Sequence, residues 1–247
     1  MLRVHQLRSG YTKNDTIQDV TFSLARGDIV GIIGPNGAGK STLLDTLAGL
    51  LPRTSGDITY DGTSLDTLRP KERAKMVTLL SQRLPPYRQT VEQFLTLARY
   101  AYDDSKEDEQ IIHRALDVFE LTKWRHQSLA SLSGGERQRV YFAKTYVQET
   151  PYLLLDEPAT YLDLGAEQTL YRYLQTLAKK GKGILLVSHN MNSAAMYCDR
   201  LLLLQNGRLL TEGRPKEVLT NERLKNVFGA ELETIEVSDT YQFIWKE

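Results

Sequence analysis

The sequence predicts an α/β fold: a mixed sheet with an antiparallel part, interrupted by a block of helices. One observation is the apolar run Asp28-Ile-Val-Gly-Ile-Ile33, which ends at a glycine-rich loop and precedes a helical stretch from Lys40 to Leu50. A second is a series of further short apolar runs that are typical of buried strands. A third is the segment from Thr90 to Gln148, which has helical spacing and little β-branched alternation. Together they indicate a core with a helical insertion.

The composition limits the classes of function. The chain has 247 residues, 41% of them apolar and 25% charged, which is ordinary for a globular protein. Its 31 basic residues balance 31 acidic ones, so bulk charge gives no reason to expect a nucleic-acid partner. One cysteine, Cys198, excludes an intrachain disulfide framework and is typical of a reducing cytoplasm. No signal peptide is recognisable, and no apolar run approaches the ~18 residues that span a bilayer. A membrane role is therefore expected to come from docking to another chain.

The remaining elements follow in chain order. Ile58 and Tyr60 alternate before an Asp61-Gly62 turn, which indicates antiparallel strands, and Met76 to Leu80 reads as a buried strand before Gln82. After the helical block we expect strands at Tyr152 to Leu155, Gly183 to Val187 and Leu201 to Leu204. A hairpin at Asn206-Gly207 and short helices within Pro215 to Phe228 are expected to follow. The predicted domains are a core of residues 1–82 and 151–247, with an N-terminal antiparallel β part, and an inserted helical subdomain of residues 83–150.

The glycine-rich loop after the first core strand carries chemistry. Gly34-x-x-x-x-Gly39-Lys40-Ser41 matches the P-loop pattern in full. Backbone N–H groups of such a loop cradle phosphate, the lysine neutralises phosphate oxygens, and the serine hydroxyl binds Mg²⁺. A glycine-rich turn without nucleotide is the alternative, but the flanking strand and helix favour a P-loop NTPase core. The predicted nucleotide-binding residues are Gly34, Pro35, Asn36, Gly37, Ala38, Gly39, Lys40, Ser41 and Thr42.

Two carboxylates follow the strand that begins at Tyr152. Asp156 and Glu157 would lie at the carboxyl end of a buried strand, where ligands bind in open α/β sheets. Asp156 is predicted to hold Mg²⁺, directly or through water, and Glu157 to orient and deprotonate an attacking water. A solvated strand end without function is the alternative, which the P-loop makes less attractive.

A second anion-binding loop lies about a hundred residues after the first, at Leu132-Ser133-Gly134-Gly135-Glu136-Arg137-Gln138. Its glycines allow close approach of a ligand, and the helix that follows directs its positive dipole end toward the same point. If both loops bind the same phosphates, two copies of the chain are needed.

These motifs resemble those of the ATP-binding subunits of ABC transporters, and the resemblance extends over essentially the whole chain. Leu132 to Gln138 is similar to the family's signature segment, which closes over ATP held by the P-loop of the other subunit. The resemblance implies that Leu132, Ser133, Gly134, Gly135, Glu136 and Gln138 serve ATP bound to the partner. It also implies ATP and Mg²⁺ as ligands and ATP hydrolysis as the activity.

The resemblance assigns roles to four further residues. Tyr11 is similar to the aromatic residue that stacks on adenine, and Gln82 to the glutamine that contacts Mg²⁺ and the attacking water. Asp163 resembles an aspartate that contacts the opposite subunit, and His189 a histidine that bonds the γ-phosphate. Two positions depart from the common pattern: the stretch Ala159-Thr160-Tyr161, and Asn190 in place of the usual aspartate.

A narrower resemblance points to importers of metal chelates: iron–siderophore, haem or cobalamin. Arg137-Gln138-Arg139-Val140 and Glu222 to Gly229 support it, whereas Ala98-Arg99-Tyr100 departs from many siderophore-type members. The implied partners are a second ATP-binding subunit, two transmembrane permease subunits received by Arg83 to Tyr100, and indirectly an extracytoplasmic substrate-binding protein. The implied location is peripheral, on the cytoplasmic face of the cell membrane.

Three alternatives remain open at this point. The first is an ABC ATPase of another transporter class. The second is a soluble, non-transport ABC ATPase, which would usually show a doubled cassette or a long coiled-coil insertion. The third is a catalytically silent subunit, against which the intact Lys40, Asp156, Glu157 and His189 argue.

Overall fold

The computed structural model describes residues 1–11, 15–82, 84–102, 105–160, 162–229, 232–237 and 240–245. The strands are β1 (Leu2–Ser9), β2 (Ile17–Leu24), β3 (Ile29–Ile33), β4 (Arg53–Tyr60), β5 (Thr63–Ser64), β6 (Val77–Leu80), β7 (Tyr152–Asp156), β8 (Gly183–Val187), β9 (Arg200–Gln205), β10 (Arg208–Gly213), β11 (Leu232–Val237) and β12 (Thr240–Trp245). The α-helices are α1 (Lys40–Leu47), α2 (Pro70–Met76), α3 (Val91–Ala98), α4 (Ser105–Val118), α5 (Gly134–Val147), α6 (Leu164–Lys179), α7 (Met191–Tyr197), α8 (Pro215–Val218) and α9 (Asn221–Phe228).

The site is positioned by a six-stranded sheet with the order β10-β9-β3-β8-β7-β6. The five strands from β9 to β6 are parallel, and β10 pairs antiparallel with β9. Every residue of β3, β7 and β8 is buried, as expected for parallel strands that are covered on both faces. The carboxyl ends of β3, β6, β7 and β8 therefore meet at one edge, and each leads into a predicted site residue or loop.

A second sheet is antiparallel, with the order β2-β1-β4-β5. Its strands alternate between buried and exposed residues, so that Leu2, Val4 and Leu7 of β1 point into one core. That core also contains residues of α1 and of the parallel sheet, such as Leu43 and Val30. The predicted antiparallel part, with its Asp61-Gly62 turn between β4 and β5, is confirmed.

The predicted helical block lies between β6 and β7, which are neighbouring parallel strands. Helices α3, α4 and α5 contact one another and share an apolar cluster that includes Leu95, Leu116 and Val140. The chain thus leaves the sheet after β6 and returns in the next strand. The domain limits at 83 and 150 stay a prediction, and Arg83 itself lies outside the described residues.

Some elements differ from the predictions. Helix α1 ends at Leu47 rather than at Leu50, since Gly49 adopts φ +68° and breaks the helical conformation. Met76 ends α2 instead of beginning β6. The antiparallel pair β11–β12 was not predicted; β12 contacts α7 and β11 contacts α9. Among the described residues, no helix is both long and apolar enough to cross a membrane.

Candidate active site

The P-loop connects β3 to α1, and its glycines are required by the chain's own geometry. Gly34 has φ +153°, and a Cβ added there would lie 2.1 Å from the backbone oxygen of Leu204. Gly39 precedes the first turn of α1 with φ +97°, and its Cβ would lie 2.7 Å from Ile17 Cδ1. Only glycine fits both constraints, so this loop is shaped before any ligand arrives.

Lys40 is folded back onto the loop. Its ammonium donates to the carbonyl oxygens of Gly34 at 2.8 Å and Pro35 at 2.9 Å, and only 6% of the residue is exposed. Burial lowers the pKa of Lys40, and the nearby Glu157 and Asp156 carboxylates oppose that shift. A buried cation held against the backbone of a phosphate-binding loop is suited to phosphate oxygens.

A cavity of about 220 Å³ opens between this loop and the end of β7. Its lining includes Asn36, Gly37, Ser41 and Glu157. Thr16, at the start of β2, also lines it and was not predicted. No local motif marks Thr16, because it reaches the cavity only through the contact between the two sheets.

Asp156 ends β7 beside Ser41. Burial raises the pKa of the Asp156 carboxyl, although a hydrogen bond from the Ser41 hydroxyl works in the opposite direction. Its Oδ1 atom is buried and has no hydrogen-bond partner among the described residues. A hydroxyl and a carboxylate oxygen left without a partner fit Mg²⁺, which takes one or two protein oxygens and completes its shell with water and phosphate. Among the described residues there is no cluster of three or more His, Cys, Asp or Glu that could hold a metal ion.

Glu157 brings the predicted catalytic residues together. Its carboxylate accepts from Gln82 Nε2 at 2.6 Å, after β6, and contacts His189 Nε2, after β8. The three residues converge because β6 and β8 flank β7 in the sheet. Thr160 Oγ1 also donates to Glu157, at 3.2 Å, a contact that the sequence did not reveal.

The backbone of Glu157 is strained. Its φ of +51° lies in the left-handed region, which costs a non-glycine residue about 1–2 kcal/mol. Such outliers are concentrated at functional sites, where the surroundings maintain them. The strain turns the chain out of β7 so that the carboxylate faces the P-loop cavity.

Tyr11 stands on the surface at the end of β1, with 65% of the residue exposed. Its hydroxyl donates to the Asp45 carboxylate of α1, and this bond raises the pKa of the Tyr11 phenol to about 12. The contact anchors an accessible aromatic ring to the helix that begins at Lys40.

The signature segment, Leu132 to Gln138, starts helix α5. Ser133 is the N-cap: its Oγ accepts from the Glu136 N–H at 3.4 Å, and the Glu136 carboxylate accepts from the Ser133 N–H at 2.9 Å. Gly134 and Gly135 differ from the P-loop glycines. A Cβ added at either would meet no atom within 4 Å, and neither has a positive φ.

Two of the residues predicted to serve the partner's ATP, Leu132 and Gln138, are buried within their own chain. Leu132 is 5% exposed and packs in the apolar cluster, and Gln138 is 2% exposed. Gln138 Nε2 donates to the backbone oxygen of Pro158, which ties α5 to the loop after Glu157. Within this structure both side chains position α5, and Gln138 also lines the groove that Ser133 and Gly135 border.

The two anion-binding loops line different cavities. Ser133, Gly135, Glu136 and Asp163 border a groove of about 640 Å³ whose other walls are largely apolar, and none of its described lining residues belongs to the P-loop. Asp163 is exposed and is the N-cap of α6, where its Oδ1 accepts from the Ala166 N–H at 2.8 Å. The predicted site residues therefore form two separate groups within one chain.

Comparison with known proteins decides the family. The ABC transporter family matches residues 17–160. The chain belongs to this family. It is 37% identical over 97% of its length to the petrobactin import ATP-binding protein of Bacillus anthracis, covering 90% of that protein. It is 37% identical over 94% of its length to the hemin import ATP-binding protein of Pseudomonas fluorescens, of which it covers 94%. With the ferric enterobactin transport ATP-binding protein of Escherichia coli the identity is 36%, covering 92% and 87% of the two chains.

Solved structures agree. An inward-facing ABC transporter assigned to the metal-chelate type superposes with a TM-score of 0.81 at 27% identity, covering 100% of this chain and 97% of the other. A dimeric ATP-binding cassette with bound ADP and Pi gives 0.78 at 25% identity, covering 87% and 99%. The chain is thus an ATP-binding subunit of the ABC transporter family, and as such an ATP hydrolase.

The two departures from the common ABC pattern have local explanations. Thr160 donates to Glu157, as described above, while Tyr161 lies outside the described residues. Asn190 is the N-cap of α7, where its Oδ1 accepts from the N–H groups of Asn192 at 3.0 Å and Ser193 at 3.1 Å. An aspartate would make the same two contacts, so the substitution preserves the start of this helix.

Proposed function

We propose that two copies of this chain close head to tail over ATP and power uptake of a metal chelate through a separate permease. Each ATP would lie between the P-loop of one copy and Ser133 to Gly135 of the other. The observation that carries the proposal is the separation of the two loops into different cavities. The unconstrained Gly134 and Gly135 support it, since their lack of side chains serves nothing within their own chain.

In the first stage the P-loop binds the phosphates. Lys40, already buried among loop carbonyls, exchanges those contacts for phosphate oxygens, and Tyr11 offers its exposed ring to adenine. Ser41 and Asp156 would hold Mg²⁺, which when bound neutralises phosphate charge. The Asp156 Oδ1 atom, which has no hydrogen-bond partner among the described residues, would be one of its ligands.

In the second stage the partner's signature segment covers the γ-phosphate. The N–H groups of Gly134 and Gly135 and the dipole of α5 add positive potential, and closure excludes bulk water. Glu157 accepts a proton from the water whose oxygen attacks the γ-phosphorus, and the bond to ADP breaks. Gln82 and His189, both in contact with Glu157, orient it for this task.

The cargo and partners are inferred from the relatives. Three of them are named for petrobactin, hemin and ferric enterobactin, which supports an iron chelate or haem; cobalamin, also predicted, is not among these names. The dimeric cassette with ADP and Pi supports pairing of two copies. Two permease subunits, a peripheral location on the cytoplasmic membrane face and an extracytoplasmic binding protein complete the proposal.

The surface proposed for the permease begins after Gln82. Tyr87, 47% exposed, packs against Phe94 at 5.9 Å between ring centroids, and Phe94 packs against Tyr141 at 5.0 Å. The Tyr141 hydroxyl donates to the Pro85 carbonyl at 2.8 Å. Since Tyr141 belongs to α5, movement of this loop would reach the helix that starts with the signature segment.

Mixing two inactive variants tests the composite site. Lys40→Ala removes the phosphate-binding cation, and Gly135→Ala obstructs the surface offered to the partner. Mixed dimers contain one site with both groups intact, so equal mixing should restore up to roughly a quarter of the wild-type rate of ATP hydrolysis. A chain with both substitutions, mixed with wild type, is the control that measures subunit exchange. Failure of the two single variants to recover activity together, despite exchange, would refute the composite site.

A further inference from the structure

Helices α6 and α7 each begin next to a residue of the proposed site. Asp163 caps α6 and is placed to meet the partner subunit, whereas His189 immediately precedes Asn190, the N-cap of α7. The two residues belong to different halves of the composite site. A physical link between these helices would therefore connect dimer contact with the histidine beside Glu157.

Two contacts join the helices. Ser193 Oγ of α7 donates to Glu167 Oε1 of α6 at 2.6 Å. Four residues further along each helix, the rings of Tyr197 and Tyr171 stack with centroids 4.4 Å apart and planes 4° apart. Residues four apart lie on the same helical face, so the two contacts join one face of α6 to one face of α7 and oppose rotation between them.

A third contact reaches the backbone around His189. Tyr171, a residue 1% exposed, lines one cavity with Ser188 and His189, and the nearby Ser188 side chain opposes the rise that burial produces in the pKa of the Tyr171 phenol. Ser188 Oγ in turn donates to the Asn190 carbonyl at 3.0 Å and accepts from the Asn190 N–H at 3.2 Å. The residues on both sides of His189 are thus held from α6.

We propose that Glu167 and Ser193 are positioning residues that fix His189 against Glu157 and couple it to Asp163 through α6. The inference rests on the proposed ATPase site and names a connection within it. In this arrangement α6 acts as a rigid body: a shift at its first turn, where the partner docks, carries Glu167 with it. The hydrogen bond then moves the first turn of α7, and with it the histidine.

The decisive experiment compares steady-state ATP hydrolysis and nucleotide affinity of single and double variants. Glu167→Ala and Ser193→Ala should each lower kcat about tenfold and leave the Kd for ATP on the P-loop unchanged. The double variant should be no worse than either single one, because both remove the same bond. Glu167→Gln, whose amide oxygen still accepts from Ser193, should recover most of kcat. Gln168→Ala, at an exposed neighbouring position on α6, is the control expected to behave as wild type.

The outcomes separate this link from the proposed function. A wild-type chain that does not hydrolyse ATP with or without permease would refute the proposed function. A wild-type chain that is active, with Glu167→Ala equally active, would overturn the link alone. Additive losses in the double variant, or a lowered melting temperature with kcat unchanged per folded molecule, would also overturn it, since both outcomes are those of a purely structural contact.

Discussion

The P-loop and the signature segment are both glycine-containing loops at the start of a helix, but they differ in what makes glycine necessary. At Gly34 and Gly39 a side chain would collide with the chain's own atoms, 2.1 Å and 2.7 Å away. At Gly134 and Gly135 a side chain would enter open space. The two P-loop glycines are thus constrained by their own chain, and the two signature glycines are not.

In the proposed dimer, one chain would contain every part of an active site and still form only half of each one. The P-loop faces Glu157 across a cavity that the chain itself closes on one side. The signature segment faces a groove that it shares with Asp163 but with none of those residues. Whether a loop's constraints are internal or external is therefore evidence about the number of subunits in the functional unit.

The largest expected effect concerns the carboxylate on the P-loop side. Glu157→Gln keeps the size of the side chain but removes the base, so hydrolysis should fall by roughly 10²–10⁴-fold while ATP still binds. Because the γ-phosphate remains, ATP should hold a closed dimer, which sedimentation or size-exclusion chromatography with ATP can measure. Wild type with ADP is the control for the open form. Near-normal turnover in this variant would remove Glu157 from the role of base.

A matched pair of alanine substitutions tests the comparison directly. Gly34→Ala should destabilise the fold by at least about 1–3 kcal/mol and abolish ATP binding, because the new methyl group meets a backbone carbonyl. Gly135→Ala should instead stabilise α5 by about 0.5–1 kcal/mol, since alanine is the better helix former, and yet abolish hydrolysis.

Melting temperature, nucleotide affinity and turnover of the two variants distinguish these effects. Gly135→Ala should melt above wild type and bind ATP with unchanged affinity. If it melted lower and lost ATP binding as Gly34→Ala does, the signature segment would be an internal support of the fold, and the contrast between the two loops would disappear.

The smallest expected effect is on stability without nucleotide. Burial raises the pKa of Asp156 in the folded chain, so its ionised form costs the fold free energy once the pH exceeds the unfolded-state value. Asp156→Asn should remove that cost and raise the melting temperature at pH 7 in metal-free buffer by on the order of 2 °C. The gain should shrink as the pH falls below the folded pKa, and Mg²⁺-dependent hydrolysis should be lost. A variant that melts lower than wild type at pH 7 would contradict the buried charge as a source of instability.

Local patterns predicted the parts of the site that depend on local geometry. The P-loop, the Asp156–Glu157 pair and the helix start at the signature segment each depend on a few consecutive residues. The meeting of Gln82, Glu157 and His189 depends on β6 and β8 flanking β7, and the sequence alone does not state strand order. Family resemblance supplied these two partners, and the sheet supplies the physical reason.

Other features were missed because their causes are non-local. Gln138, the last residue of the signature segment, lies one helical turn before Phe142 on the buried face of α5, a spacing that could have indicated its burial. Thr160, Glu167 and Ser193 make contacts that no motif encodes. The β11–β12 pair was missed although Ile235 and Val237, and then Tyr241, Phe243 and Trp245, recur at the period-2 spacing typical of strands.

The cap at the start of α5 has a consequence for release. Ser133 and Glu136 already satisfy each other's N–H groups, so an incoming anion finds only the N–H groups of Gly134 and Gly135 and a fractional dipole charge. Such a surface attracts the negative charge of a terminal phosphate. It binds too weakly to retain that phosphate once the charge of the bound group has changed. In the proposed dimer, this weak binding would allow the two subunits to separate after hydrolysis.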